Sequence, residues 1–221
     1  ASETLRLRIA QALCGPLSVW AQQSPERPDQ AGHRALANVA LGYLAALNSP
    51  ATLTLARRRS ESVNMSISLG ALSAINDSAS SERAMAMGAF HDRWRSNPLV
   101  LDKWFGLEAG AATHGIEQIR ALMQHEAFDW RSPNRVRAVL AAFSRRNLRA
   151  FHGEGGYALY AEAVSRLDAI NPQVAARLSR PLLGWRRLAE PWAGRQRTVL
   201  EQMQQAGCSR DLGEMLEAAL A

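Results

Sequence analysis

Five histidines, two cysteines and 20 carboxylates are the residues of this sequence suited to metal or acid–base chemistry. Their spacing does not gather them locally. His33, His91, His114, His125 and His152 never stand three or four apart, the separation that sets two imidazoles on one helix face. His125-Glu126 opens like a zinc-protease motif, but Ala127, Phe128 and Asp129 follow with no second histidine. There is no Gly-x-Ser-x-Gly elbow to hold a nucleophilic serine. Cys14 and Cys208 lie near opposite ends, outside any Cys-x-x-Cys pair. That argues for free thiols in a reducing compartment, and free thiols are by default buried. No catalytic residue, metal ligand or cofactor is expected in this chain.

Arginine is the remaining candidate. Of 26 basic residues only Lys103 is a lysine. A guanidinium offers a planar fork to carboxylate or phosphate, although arginine codons are also what a GC-rich genome favours. The basic positions are interrupted by apolar and acidic ones except at Arg57-Arg58-Arg59, so a net charge of +6 need not form a nucleic-acid stripe. Arg137 follows Val136 and Arg177 precedes Leu178, so each borders an apolar stripe. Periodicity alone leaves both as ordinary solvated or paired arginines, or as edges of a concave face. The run from Phe151 to Tyr157 holds Gly153, Gly155 and Gly156, which let backbone approach a neighbour closely. It lacks the Lys-Ser/Thr ending and the preceding strand of a phosphate loop.

The elements that must position these residues read as helices throughout. Val136, Val139, Leu140 and Phe143 recur at the helical period, as do Leu212, Met215, Leu216 and Ala219. Val174, Leu178, Leu182 and Trp185 form a further stripe, Met87, Phe90 and Trp94 a shorter one. Leu36, Val39, Leu44 and Leu47 lie in an alanine-rich stretch of high helix propensity. Residues Leu99 to Phe105 are apolar on nearly all sides and predict a central helix with Trp104 and Phe105 buried. Ser49-Pro50, Asn97-Pro98, Ser132-Pro133 and Asn171-Pro172 each set a capping side chain before a proline that has no N–H to lose. Gly207 ends a helix, Ser209 caps the next, and Pro181 splits the one it falls in.

Those four starts are spaced like helix–turn–helix units of about 34–47 residues, without tetratricopeptide or ankyrin signatures. The expected fold is all-α: one domain over 1–221 of eleven or twelve helices, stacked as antiparallel pairs in a HEAT/armadillo-like superhelix with a concave face. A composition of 47% hydrophobic and 21% charged residues is globular. No apolar stretch approaches membrane-spanning length. The first residues lack the order of a signal peptide, and without an initiator methionine the sequence reads as cut from a longer one.

Several strings occur in one order: Leu99-Val100-Leu101-Asp102-Lys103-Trp104-Phe105, Pro133-Asn134-Arg135-Val136-Arg137, Phe151-His152, Gly156-Tyr157, and Asn171-Pro172-Gln173-Val174-Ala175-Ala176-Arg177. From about Arg34 onward they resemble the C-terminal domain of the bacterial aminopeptidase N family, gluzincin zinc exopeptidases. The resemblance implies a cytoplasmic, monomeric parent with zinc in a separate catalytic domain, while this chain, inactive alone, caps that domain and encloses the peptide chamber. It implies that Arg137 and Arg177 face the chamber and bind substrate, and that His152, Glu154, Gly156 and Tyr157 form a loop on its side. Partners are then the catalytic domain of the same polypeptide and peptides, with neither nucleic acid nor membrane. The family's Asn-Met-Thr-Asp string stands here as Asn64-Met65-Ser66-Ile67, and its Asp-Gly-x-Gly-Tyr loop is shortened to Glu154-Gly155-Gly156-Tyr157. The competing reading is a free-standing helical scaffold for an acidic protein or nucleic acid.

Overall fold

In the computed structural model, residues 2–23 and 28–221 are described. They form fifteen α-helices and two 3-10 helices, with no strand among the described residues. The chain divides into two compact units, residues 1–107 and 108–221.

The first unit holds α1 (Ser2–Ala12), α2 (Cys14–Gln22), α3 (Ala31–Ala45), α4 (Pro50–Ser60), α5 (Met65–Ile75), α6 (Ser81–Trp94) and most of α7 (Pro98–Gly110). α3 packs against α2 and α5, and α4 against α5 and α6. Short connections between packed neighbours make antiparallel pairs. Leu41, Leu44, Leu72, Ile75, Met87 and Phe90 form the centre of its core, with Trp94 and Trp104 packed at the margin. Asn76 is fully buried and ties the elements together. Its Nδ2 donates to the Leu107 carbonyl at 2.8 Å, while Arg83 Nε donates to the Asn76 carbonyl at 2.8 Å.

The second unit holds α8 (Ile116–Gln124), α9 (Pro133–Arg145), α10 (Leu148–Phe151), α11 (Gly156–Asp168), α12 (Pro172–Leu178), α13 (Arg180–Leu183), α14 (Trp192–Gln205) and α15 (Arg210–Leu220). α11 packs on α12 and α14, and α12 on α15 and α9. The stripe Val136, Val139, Leu140 and Phe143 is wholly buried, as are Leu212 and Leu216. Tyr160 Oη donates to the Leu178 carbonyl at 2.8 Å, and burial pushes that phenol up to about 12. Asp168 accepts from Ser209 Oγ at 2.6 Å and from its backbone N–H at 2.7 Å, fastening the start of α15 to the end of α11.

All four capping side chains accept from the first free N–H groups: Ser49 from Thr52, Asn97 from Val100, Ser132 from Arg135 and Asn171 from Val174. Gly207 takes φ 81° after α14, and Ser209 caps α15. Pro181 falls where α12 gives way to the short α13, so the helix is split there as expected.

Three expectations fail. The helix count exceeds twelve because α1 and α2 are separate and α10 and α13 are single turns. In α3 the buried face is Ala37, Ala40, Leu41 and Leu44, with Leu36 and Val39 exposed. Small alanines let α2 and α5 approach closely, so they win the core face over larger residues. α7 is not buried on all sides, since Leu99 and Lys103 reach solvent. Both cysteines are exposed, Cys14 at the start of α2 and Cys208 in the turn after Gly207. Helix ends and turns lie at the surface, where their unpaired backbone groups meet water.

Candidate functional site

The caps at Ser132 and Asn171 set the register of α9 and α12, and register decides which arginine faces out. In α9, Val136 and Val139 turn inward. Arg135 goes with them: it is buried and donates through a guanidinium nitrogen to the Ala127 carbonyl. Arg137, two residues on, is rotated about 200° round the helix and is exposed. In α12, Ala175 and Leu178 are buried, and Arg177 in the last turn is exposed. A cation is favoured there by the carbonyl end of the helix. Neither Arg137 nor Arg177 has a hydrogen bond or ion pair among the described residues. The two helices pack against each other, so the arginines stand on neighbouring elements with their guanidinium donors unspent.

The loop after α10 is built differently. Gly155 takes φ 73° as the N-cap of α11. Tyr157 is buried, with its ring edge-to-face on Phe151 at 5.2 Å; Phe151 in turn meets Tyr160 at 5.3 Å and Phe143 at 5.6 Å. His152 Nδ1 lies 2.5 Å from Tyr157 Oη. Burial pushes the Tyr157 phenol up, so it keeps its proton and donates to a neutral imidazole. Burial also pushes the His152 imidazole down, which favours that neutral form. Trp192 Nε1 donates to the His152 carbonyl at 3.1 Å and closes the turn. His152, Gly156 and Tyr157 therefore hold the turn, and Glu154 alone of the four is exposed at its tip.

Glu154 borders a cleft of about 290 Å³ shared with Thr113, His114 and Arg149. The segment carrying His114 is fixed from two sides. His114 Nδ1 donates to the Glu108 carbonyl at 2.9 Å, and Asn147 Nδ2 donates to the His114 carbonyl at 2.9 Å. A second cleft of about 460 Å³ lies between α11 and α14, bordered by Tyr157, Arg195 and Thr198. The sequence pattern did not single out Arg149 or Arg195. Each is one arginine among many, and only the folding of the glycine turn sets it beside a cleft.

The Arg57-Arg58-Arg59 run does not make a basic patch. Arg57 pairs with Glu61 and with Glu82, each at 2.7 Å, and Arg59 is buried and donates to the Gln23 carbonyl. Among the described residues no group of three or more His, Cys, Asp or Glu could hold a metal ion.

Over residues 1–221 the chain matches the family described as "Domain of unknown function (DUF3458_C) ARM repeats". It is 37% identical over 193 residues to aminopeptidase N of Escherichia coli (strain K12), covering 85% of this chain and 22% of that protein. To aminopeptidase N of Caulobacter vibrioides it is 35% identical over 216 residues, covering 92% of this chain and 25% of the relative. Among solved structures, Legionella pneumophila aminopeptidase A in complex with aspartic acid superposes with a TM-score of 0.88 at 26% identity. That match covers 99% of this chain and 28% of the other. The chain thus spans about a quarter of the length of the proteins it matches. All-helical, with α9 and α12 opened by Ser-Pro and Asn-Pro caps, this chain belongs to the DUF3458_C ARM-repeat family and is homologous to the C-terminal helical domain of bacterial aminopeptidase N.

Proposed function

We propose that this chain works as one non-catalytic cap of a zinc-dependent aminopeptidase, closing the peptide chamber and holding the substrate's tail with Arg137 and Arg177. The observation that carries the reading is the pair of unspent guanidinium groups on two packed helices of a chain homologous to aminopeptidase N. An enzyme that removes N-terminal residues must accommodate tails ending in a carboxylate. A guanidinium meets that carboxylate with charge-assisted hydrogen bonds and stays protonated at every working pH. Zinc belongs, in this reading, to the catalytic part of the parent polypeptide. Among the described residues of this chain no group of side chains fits a metal. The same reading takes the parent as a cytoplasmic monomer acting on peptides.

The test is made in the intact enzyme. A charged hydrogen bond contributes roughly 1.5–3 kcal/mol, so Arg137→Ala or Arg177→Ala should lower kcat/KM for short peptides by about one to two powers of ten. A single-residue chromogenic amide has no tail carboxylate and should change by less than about twofold. Equal losses on both substrates would assign the arginines to folding, and no loss on either would leave them as solvated side chains.

A further inference from the structure

α3 carries a second apolar arc beside its buried face. Ala37, Ala40, Leu41 and Leu44 are buried, the helix packs against α1, α2, α4 and α5, and Arg6 of α1 donates to the Gly42 carbonyl at 2.6 Å near its C-terminal end. Gly32, Ala35, Leu36 and Val39 follow one another at i, i+3, i+4 and i+7 on the other side. At 100° per residue these four fall in an arc of about 100°. Leu36 is 41% exposed and Val39 55%. His33, Arg34 and Asn38 lie outside that arc, and the half-buried Tyr43 continues it. A surface helix ordinarily turns charge toward water on the face away from its core. α3 has instead the pattern of an interior helix with one neighbour missing. Leu5, Leu13 and Val19 of the same unit, on and between α1 and α2, are exposed as well.

We propose that this outer face of α3 receives an apolar segment from the upstream part of the parent polypeptide. The inference rests on the reading of the chain as the C-terminal part of a longer enzyme. The aminopeptidase N relatives run about four times its length, with this chain covering 22% of one and 25% of another. On that reading the additional polypeptide joins the chain at the α1 end, in the unit that carries the face. An arc without charge does not suit a polyelectrolyte, whose binding rests on basic contacts. A second copy of this chain is disfavoured by size. A stable dimer buries about 800 Å² per partner, and four positions on one helix, two of them Gly and Ala, cannot supply that. A segment of the same polypeptide needs no such area, because the covalent connection raises its effective concentration.

The test places a thiol on the face, in a background with Cys14→Ser and Cys208→Ser. Val39→Cys probes the arc, and Val63→Cys, at a position 77% exposed in the connection between α4 and α5, is the control. In the chain alone a small thiol reagent should label both at similar rates. In the intact polypeptide Val39→Cys should react at least about tenfold more slowly than Val63→Cys, because reaction then waits on local opening. Comparable rates in the intact polypeptide would overturn the proposal. So would protection of Val39→Cys that appears in the chain alone and grows with its concentration, which would identify a second copy as the occupant. Peptide hydrolysis by the intact protein is read in parallel. Activity with free labelling sinks the docking face alone, whereas protection without activity sinks only the aminopeptidase reading.

Discussion

At Gly156 an added Cβ would stand 2.2 Å from the Ala150 carbonyl oxygen and 2.4 Å from that of Phe151. Both obstacles are backbone, so no side chain can swing away to relieve the clash. Gly156→Ala should therefore cost roughly 2–4 kcal/mol, read as a lower urea midpoint at unchanged slope. Gly184→Ala is the control: its Cβ would meet nothing within 4 Å, and φ there is −86°. His152, four residues earlier, predicts a pH effect. Burial holds its pKa below 6.5, so the unfolded chain binds the proton at a higher pH than the folded one. Its contribution to stability is present above about pH 6.5 and is lost as pH falls below that value. Between pH 7 and pH 5, His152→Gln should lose less unfolding free energy than the wild type. An identical pH profile would show that the imidazole is freely protonated in the fold. The candidate site was partly legible at this scale. Ser132 and Asn171 announce where α9 and α12 begin, which is what orients Arg137 and Arg177. No pattern separates Arg135 from Arg137, however. Register turns Arg137 outward, but that Arg135 can be buried depends on a distant carbonyl, that of Ala127, being there to accept from it.

Among the helices, legibility followed the local physics. A Ser or Asn before a proline acts on N–H groups two or three residues away, so sequence alone predicts it, and all four such starts form. Which apolar face of a helix is buried depends on elements far along the chain. That is why α3 turns Ala37 and Ala40 inward and leaves Leu36 and Val39 in water. The glycine turn after α10 was recognised as irregular, but its role in holding Tyr157 against Phe151 came only from packing. In α7 the expectation that Trp104 and Phe105 are both buried gives way to a graded one. Phe105 is 0% exposed, while Trp104 lies at the margin, its ring tilted against His91 at 4.7 Å and edge-on to Phe105 at 5.0 Å. Phe105→Ala should cost about 3–5 kcal/mol, because the cavity is closed on all sides. Trp104→Ala should cost less, since part of its ring already meets water and the site can relax. Chemical denaturation of both variants gives the order, and a larger loss at Trp104 would contradict it.

Over the whole molecule, the proposed function makes this helical chain shape a reaction that another part of the parent polypeptide performs. Its family and its all-helical fold fit that division of labour. The most direct measurement is hydrolysis of a short peptide by the intact parent polypeptide and by this chain alone, at equal concentration, with zinc content determined on both samples. The account predicts that the parent releases N-terminal amino acids and carries zinc, and that the chain alone does neither. Chelator-sensitive hydrolysis by the chain alone, with one zinc bound per chain, would contradict it, as would a parent that releases no amino acid from any peptide.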